Sequence, residues 1–158
     1  MKPQASDPPG AAEIRAYAYR LLGRREYSVH ELEQRLQQKW PALGAASLAG
    51  LLEALVTENL LSDERFTQAF VRSGVQRSQG PLKIRAGLRA RGIADALIGQ
   101  QLDDAGTDWV GLARRWLVRQ NPAHLDFESR AKCYRRLLNR GFSHDQAMDA
   151  LNSLDEAP

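Results

Sequence analysis

Residues 84–93 read IRAGLRARGI, and the same pattern occurs twice more along the chain. It returns as CYRRLLNRGF at residues 133–142 and, in a looser form, as LEQRLQQKW at residues 32–40. The central leucines are Leu36, Leu88 and Leu137, so the copies lie 52 and 49 residues apart. Such a period is typical of stacked helical units, because one short unit cannot bury its apolar face alone. The pattern therefore predicts a helical-repeat protein, which would lay a long surface against a partner.

Helical spacing of apolar residues extends over nearly the whole chain, and alternating β-branched runs are almost absent. The helix signals form a three-helix repeat that is used three times. The predicted helices span residues 13–24, 28–40 and 47–60, then 63–76, 81–91 and 94–104, then 108–120, 127–139 and 144–154. We therefore predict an all-α fold with three tandem three-helix repeats in an elongated, curved array. The repeats would cover residues 13–61, 62–106 and 107–154, after a flexible N-terminal arm of residues 1–12.

Several of these helices carry start signals. Ser28 with Glu31 and Ser143 with Gln146 have the spacing of a capping box, in which each side chain bonds the backbone of the other residue. Pro81 suits the first turn of a helix, where its missing N–H is not needed. These signals predict helix starts at the second, fifth and ninth helices.

The ends of the repeated pattern differ between its copies. Gly92 and Gly141 stand where a helix end favours a left-handed residue, whereas Trp40 in the first copy predicts a different helix end.

The apolar period also predicts the core and the contacts between repeats, with Cys133 as a small buried residue. An aromatic surface for stacking bases is the alternative for the tryptophans. The predicted core side chains are Leu51, Leu52, Leu55, Val56, Phe66, Phe70, Ile98, Leu102, Trp109, Leu112, Trp116, Leu117, Ala147 and Leu151.

Composition sets broad limits on the class of protein. The 158 residues are 43% hydrophobic and 26% charged, which is typical of a globular protein. A single cysteine excludes an internal disulfide. No apolar run approaches the roughly 20 residues of a membrane helix, and the N-terminus lacks the apolar core of a signal peptide. We therefore expect a cytoplasmic protein with no membrane contact.

Motifs for catalysis or cofactor binding are absent from the sequence. The three histidines are scattered without metal-ligand spacing, and no glycine-rich phosphate loop precedes a Lys-Ser or Lys-Thr pair. Neighbouring acidic residues lie on faces expected to be solvated. The sequence thus predicts that the protein is not an enzyme and has no catalytic residue, cofactor or metal site.

Positive charge is concentrated in two stretches, although the formal net charge is only +3. Between residues 71 and 92 there is no acidic residue, and a second basic concentration begins at residue 114. A solvated basic face is the simplest interpretation, but arginine outnumbers lysine, and arginine makes forked contacts to phosphate or carboxylate. Residues 77–80 could also present backbone amides and Arg77 to a phosphate. The candidate contact residues are Arg72, Arg77, Lys83, Arg85, Arg89, Arg91, Arg114, Arg115, Arg119, Lys132, Arg135 and Arg136.

Two segments resemble a known family. Residues 63–72, DERFTQAFVR, followed by residues 80–93, GPLKIRAGLRARGI, are similar to the signature of bacterial RecX regulatory proteins. Residues 22–32, LGRREYSVHEL, resemble the opening of the same family. The resemblance extends from about residue 16 to residue 151. Three departures stand out: Trp40 replaces a glycine-aromatic turn, Gly74 a basic residue and Ser78 a glycine.

The resemblance implies three repeats of three helices and a function that composition cannot supply. Such proteins bind the nucleoprotein filament of the RecA recombinase and limit its growth, which lowers recombination, ATP hydrolysis and SOS-linked co-cleavage. It implies no cofactor. For this chain we expect a monomer that contacts the RecA filament and binds single- and double-stranded DNA weakly and non-specifically.

Two other functions stay open from the sequence. Residues 28–61 could form a helix-turn-helix module of a stand-alone DNA-binding protein, which would bind duplex DNA tightly without RecA. A protein-binding helical scaffold without a nucleic-acid role is the other possibility. It would lack the steep loss of affinity with rising salt that phosphate contacts produce.

Overall fold

The computed structural model describes residues 9–120 and 125–156. Within these residues the chain forms nine α-helices and no strand, which confirms the prediction of an all-helical fold. Residues 1–8, most of the predicted N-terminal arm, lie outside the described residues. The helices are α1 (Ala11–Leu22), α2 (Val29–Lys39), α3 (Ala45–Thr57), α4 (Asp63–Gln76), α5 (Pro81–Arg89), α6 (Asp95–Asp104), α7 (Trp109–Arg119), α8 (Phe127–Asn139) and α9 (His144–Asp155).

Two of the helix starts follow the sequence signals closely. Ser143 and Gln146 form the predicted capping box at α9, with both side-chain-to-backbone bonds in place. Pro81 occupies the first turn of α5, as predicted. At α2 only half of the predicted box forms: the Ser28 hydroxyl accepts a hydrogen bond from the Glu31 amide at 3.0 Å. The Glu31 carboxylate instead accepts from arginine side chains.

Helix ends depend on single left-handed residues. Gly92 and Gly141 have φ values of +75° and +94°, which confirms their predicted role. Asn59 is also left-handed, with φ +59°, and α3 ends before it at Thr57, three residues earlier than predicted. There the Leu60 amide bonds back to the Leu55 carbonyl at 3.0 Å, the pattern of a Schellman motif.

The backbone divides into two compact units. Unit 1 comprises Met1–Phe66 with Arg91–Ile93, and unit 2 comprises Thr67–Ala90 with Ala94–Pro158. The division into three repeats stays a prediction. The core of unit 1 consists of Ile14, Ala18, Leu21, Tyr27, Leu32, Leu36, Leu48, Leu52, Leu55 and Leu61. A core cluster of unit 2 consists of Leu112, Ala113, Leu117, Leu137, Phe142, Ala147, Ala150 and Leu151.

Most of the predicted core side chains are buried or pack against these clusters. Phe70 is half-buried. Val56 is 46% exposed, because α3 already buries Leu48, Leu52 and Leu55 along another face. Trp109 and Trp116 are partly buried and pack on the unit 2 cluster, as does Cys133. They therefore contribute to the core rather than forming a free aromatic surface.

Trp40 closes the first copy of the repeated pattern without a left-handed residue. Its backbone has φ −130° and ψ 79°, and its amide bonds to the Leu36 carbonyl at 2.9 Å. The indole meets the Tyr17 ring edge to face, with the ring centroids 5.3 Å apart. The tryptophan thus joins the unit 1 core at the point where the other copies use glycine.

Candidate functional site

Residues 71–90 contain no acidic residue and lie in unit 2, where they form the C-terminal part of α4, the turn after it and α5. On α5, Ile84 and Leu88 are fully buried, and this fixes which side of the helix faces solvent. Arg85, which is half-buried, and Arg89, which is exposed, are one turn apart on a shared face, while Lys83 is exposed on another side. On α4, Arg72 is exposed. These four predicted residues therefore present positive charge on the surface of unit 2.

Arg89 already has an acidic neighbour. Its Nε lies 2.6 Å from Oδ1 of Asp95, in the first turn of α6, and both side chains are more than half exposed. The hydrogen bond from Arg89 lowers the pKa of Asp95, and the positive charge of Arg85 acts in the same direction. An exposed pair of this kind is weak, so an external anion can compete for Arg89.

Arg91 has a structural role within unit 1. Its Nε lies 3.2 Å from Oε1 of Glu31, and the other carboxylate oxygen of Glu31 accepts a hydrogen bond from Arg25. The Arg91 carbonyl accepts a hydrogen bond from the Ser28 hydroxyl at 2.7 Å. These contacts attach the segment Arg91–Ile93 to unit 1. Among the predicted contact residues, Arg91 thus has a structural role.

A second group of predicted residues lies on α7 and α8. Arg114 and Arg115 are exposed on α7, whose other side buries Ala113 and Leu117 in the unit 2 cluster. On α8 two exposed arginines lie three and four positions after an exposed lysine, which places both on the lysine's side of the helix. The three residues are Lys132, Arg135 and Arg136.

Most of these surface cations have no acidic partner. In the parts of the chain that the structure describes, no carboxylate lies at ion-pair distance from them. This applies to Arg72, Lys83, Arg85, Arg114, Arg115, Lys132, Arg135 and Arg136. Their charge is therefore available to an external polyanion or to an acidic protein surface.

Arg77 and Arg119 both form hydrogen bonds near the turn that follows α4. The Arg119 guanidinium donates a hydrogen bond to the Ser78 hydroxyl, and the Arg77 Nε bonds to the Ser73 carbonyl at 3.3 Å. A third arginine, Arg140, joins them. Its Nε donates to the Ser78 carbonyl at 2.9 Å, and another of its nitrogens donates to the Arg77 carbonyl.

Arg140 was absent from the predicted contact residues, although it belongs to the second basic stretch. Its guanidinium lies over the Trp116 ring, 5.1 Å from the centroid. Burial lowers the pKa of Arg140, and the nearby charge of Arg119 lowers it further. The signals in the sequence were its place in that stretch and in the repeated pattern, where Arg91 holds the equivalent position.

Side chains that could ligate a metal ion do not gather at any point of the described chain. Within residues 9–120 and 125–156, no group of three or more His, Cys, Asp or Glu side chains is placed to hold a metal ion. His124, one of the three histidines, lies outside the described residues.

None of the helices in the described part of the chain is long and apolar enough to cross a bilayer.

Comparison with known proteins identifies a common family. A family model described as "RecX, first three-helix domain" matches residues 15–42, and one described as "RecX, second three-helix domain" matches residues 62–102. A protein named "Regulatory protein RecX" from Halorhodospira halophila is 40% identical over 151 residues, which cover 93% of this chain and 92% of that protein. A protein of the same name from Chromohalobacter salexigens is 43% identical over 136 residues, covering 85% and 88%.

Solved structures share the fold. The crystal structure of RecX from Lactobacillus salivarius superposes with a TM-score of 0.79 and covers 93% of this chain and 97% of that one. Its sequence identity to this chain is 20%. The helical architecture is therefore common to proteins whose sequences have diverged widely.

Proposed function

The chain belongs to the RecX family of regulatory proteins, and from that premise we propose that it binds the RecA–DNA nucleoprotein filament and inhibits RecA. Inhibition would extend to the recombinase, ATPase and co-protease activities, and hence to recombination, DNA repair and the SOS response. The protein would act by binding alone, without catalytic chemistry.

The observation that carries this proposal is the uncompensated positive charge of unit 2. Residues 67–90 contain five basic residues and no acidic one, and four of the five are exposed. A RecA filament carries DNA phosphates, and a basic surface attracts such a polyanion through counterion release. We assign the contact to the solvent-facing cations Arg72, Lys83, Arg85, Arg89, Arg114, Arg115, Lys132, Arg135 and Arg136. Arg91 is assigned a structural role because it pairs with Glu31.

Inhibition follows physically if one molecule contacts more than one RecA subunit. Each assembly or recombination step requires neighbouring subunits to move relative to one another. A protein bound across them must be displaced or deformed before they can move, so its binding free energy opposes the step. Inhibition would then appear at amounts well below one molecule per RecA subunit.

The test is RecA ATP hydrolysis on single-stranded DNA, measured with increasing substoichiometric amounts of this protein. We expect strong inhibition well below a one-to-one ratio. No inhibition even at excess would overturn the proposal and favour a stand-alone DNA-binding protein.

A double variant tests the proposed surface itself. Arg85→Ala with Arg89→Ala removes two neighbouring charges from α5 but leaves Ile84 and Leu88 in the core, so the helix should fold. We expect about a ten-fold or greater increase in the concentration that half-inhibits RecA, since two charged contacts of about 1 kcal/mol each are lost. The matched control is Arg24→Ala with Arg35→Ala, two exposed cations of unit 1. Equal inhibition by the α5 variant and the wild type would exclude these two residues from the contact.

A further inference from the structure

The turn after α4 is closed by a residue that disfavours its conformation. Ser78 has φ +55°, and it completes a Schellman motif in which the Gln79 amide bonds to the Gly74 carbonyl at 2.9 Å. A left-handed conformation is unfavourable for any residue with a Cβ and is usually taken by glycine. Ser78 is also almost fully buried. What the serine has and glycine lacks is the hydroxyl that holds Arg119.

Ser78 thereby brings two guanidinium groups to one point in unit 2. Arg119 bonds to its hydroxyl, and Arg140 bonds to its carbonyl at 2.9 Å and to the preceding carbonyl of Arg77. The Trp116 ring under Arg140 restricts that guanidinium further. The two cations repel each other, and the effect of Arg119 on the pKa of Arg140 has the sign that this repulsion requires.

No carboxylate compensates this charge. Over residues 9–120 and 125–156, none of the ion pairs involves Arg77, Arg119 or Arg140. The hydrogen bonds to Ser78 and to the Arg77 carbonyl use one nitrogen of Arg119 and two of Arg140, and each guanidinium has three nitrogens that can donate. Arg119 therefore keeps two nitrogens for a ligand and Arg140 keeps one.

We propose that Arg119 and Arg140 form a binding site for a backbone phosphate of nucleic acid. The site rests on the proposed function and deepens it, because it names which group of the nucleoprotein filament this part of unit 2 recognises. An anion between the guanidiniums relieves their repulsion. Since the arginines are already oriented by Ser78 and Trp116, little side-chain entropy is lost when the phosphate binds.

Phosphate fits this cluster better than a protein carboxylate does. A carboxylate and a single backbone phosphate carry the same charge, but a carboxylate is matched by the fork of a single arginine. A nucleic-acid backbone offers successive anionic groups, each with oxygens that several guanidiniums can share. The exposed cations Arg114 and Arg115 lie on the same helix as Arg119 and can continue such a contact along the strand.

The test measures binding to single-stranded DNA without RecA, at several salt concentrations. Arg119→Gln removes the charge but keeps a polar side chain, and Arg24→Gln removes the same charge from unit 1 as a matched control. We expect Arg119→Gln to weaken binding about ten-fold, as for the loss of a hydrogen bond to a charged group. The slope of log affinity against log salt should fall by about 0.7, the value for one phosphate contact with a single strand. Arg24→Gln should change neither quantity.

A second variant separates the effect of the Arg119 charge from that of its forked hydrogen-bonding geometry. Arg119→Lys keeps the charge but loses the fork, so it should retain the salt slope and still bind several-fold more weakly. Equal DNA affinity of wild type and Arg119→Gln would overturn the phosphate site. So would undetectable DNA binding by the wild type.

RecA inhibition, measured in parallel, keeps this result separate from the proposed function. If Arg119→Gln lost inhibition but kept its DNA affinity, the cluster would contact an acidic protein surface, and the phosphate site would be wrong. If both variants kept inhibition while Arg119→Gln lost DNA affinity, the phosphate site would be supported and RecA contacts would dominate the filament complex.

Discussion

Two glycines allow the backbone at the end of α8 to lie directly against the start of α5. The Gly80 amide donates to the Arg140 carbonyl at 2.7 Å, and the Leu82 amide donates to the Gly141 carbonyl at 3.0 Å. A Cβ on Gly80 would lie 2.2 Å from the Gly141 carbonyl carbon, and a Cβ on Gly141 would lie 2.3 Å from the Lys83 Cβ. Since most of these atoms are backbone, no side-chain rotation can relieve the overlap.

Gly80→Ala is therefore expected to destabilise the protein by about 3 kcal/mol, at the upper end of the range for overpacked sites. The control is Gly99→Ala in the interior of α6, where a Cβ would have no other atom within 4 Å. That substitution should stabilise the protein by about 0.5–1 kcal/mol, because alanine restricts the unfolded chain. Urea unfolding monitored by circular dichroism measures both. Similar stabilities for the two variants would show that the Gly80 contact can relax.

At the scale of single residues, the sequence predicts those features that backbone geometry alone decides. Gly141 was predicted to be left-handed because a repeated helix ends before it, and its φ is +94°. Ser78 was recognised only as a departure from a glycine, since its role depends on Arg119 and Arg140, which are 41 and 62 residues away. Glu31 was predicted to complete a capping box, but arginine side chains compete successfully for its carboxylate. Long-range side-chain partners of this kind leave no local pattern in a sequence.

The pairing of α5 with α6 illustrates how adjacent elements share charge. Arg89 at the end of α5 bonds to Asp95 in the first turn of α6, where a negative charge also interacts favourably with the helix dipole. The pKa of Asp95 is lowered chiefly by the hydrogen bond from Arg89. The folded-state value therefore lies below the unfolded one. The pair of Asp95 with Arg89 therefore stabilises the folded protein above the ordinary pKa of an aspartate. This stabilisation is lost as the pH falls through the lowered pKa of Asp95 in the folded state.

Arg89→Gln should accordingly raise the pKa of Asp95 towards its ordinary value. The measurement is an NMR titration of the Asp95 carboxyl carbon in the wild type and the variant, with Arg24→Gln as the control. Adding single-stranded DNA to the wild type should raise the same pKa, because a phosphate that binds Arg89 takes the guanidinium away from Asp95. A DNA-bound protein with an unchanged Asp95 titration would remove Arg89 from the contact.

Helix positions were the part of the fold that the sequence determined best. The predicted bounds of α4 and α8 agree with the structure at both ends, since each helix is bounded by capping or turn residues. The end of α3 was placed three residues too late because Leu60 continues the apolar period. Its amide already belongs to the Schellman motif at Asn59. An apolar period records which side chains are buried, and it continues past a helix end whenever the following loop also packs on the core.

Charge is distributed very unevenly over the molecule as a whole. Unit 1 contains nine basic and nine acidic residues, so the formal net charge of +3 belongs entirely to unit 2. The two basic stretches were predicted from the sequence. Their division into structural and solvent-facing arginines was not, because an ion pair such as that of Arg91 with Glu31 joins residues far apart in the chain. If filament binding depends on local phosphate contacts, the position of a removed charge should matter more than its effect on the net charge.

Two double variants with the same change in net charge test this point. Arg135→Gln with Arg136→Gln removes two exposed cations from α8, and Arg24→Gln with Arg35→Gln removes two from unit 1. We expect the α8 variant to reduce the salt slope of single-strand binding by about 1.4, since each lost phosphate contact contributes about 0.7. It should also weaken RecA inhibition, whereas the unit 1 variant should resemble the wild type in both assays. Equal losses in the two variants would mean that long-range attraction to the net charge governs binding. An effect confined to the α8 variant would instead require direct contacts at this surface of unit 2, because the two proteins carry the same total charge.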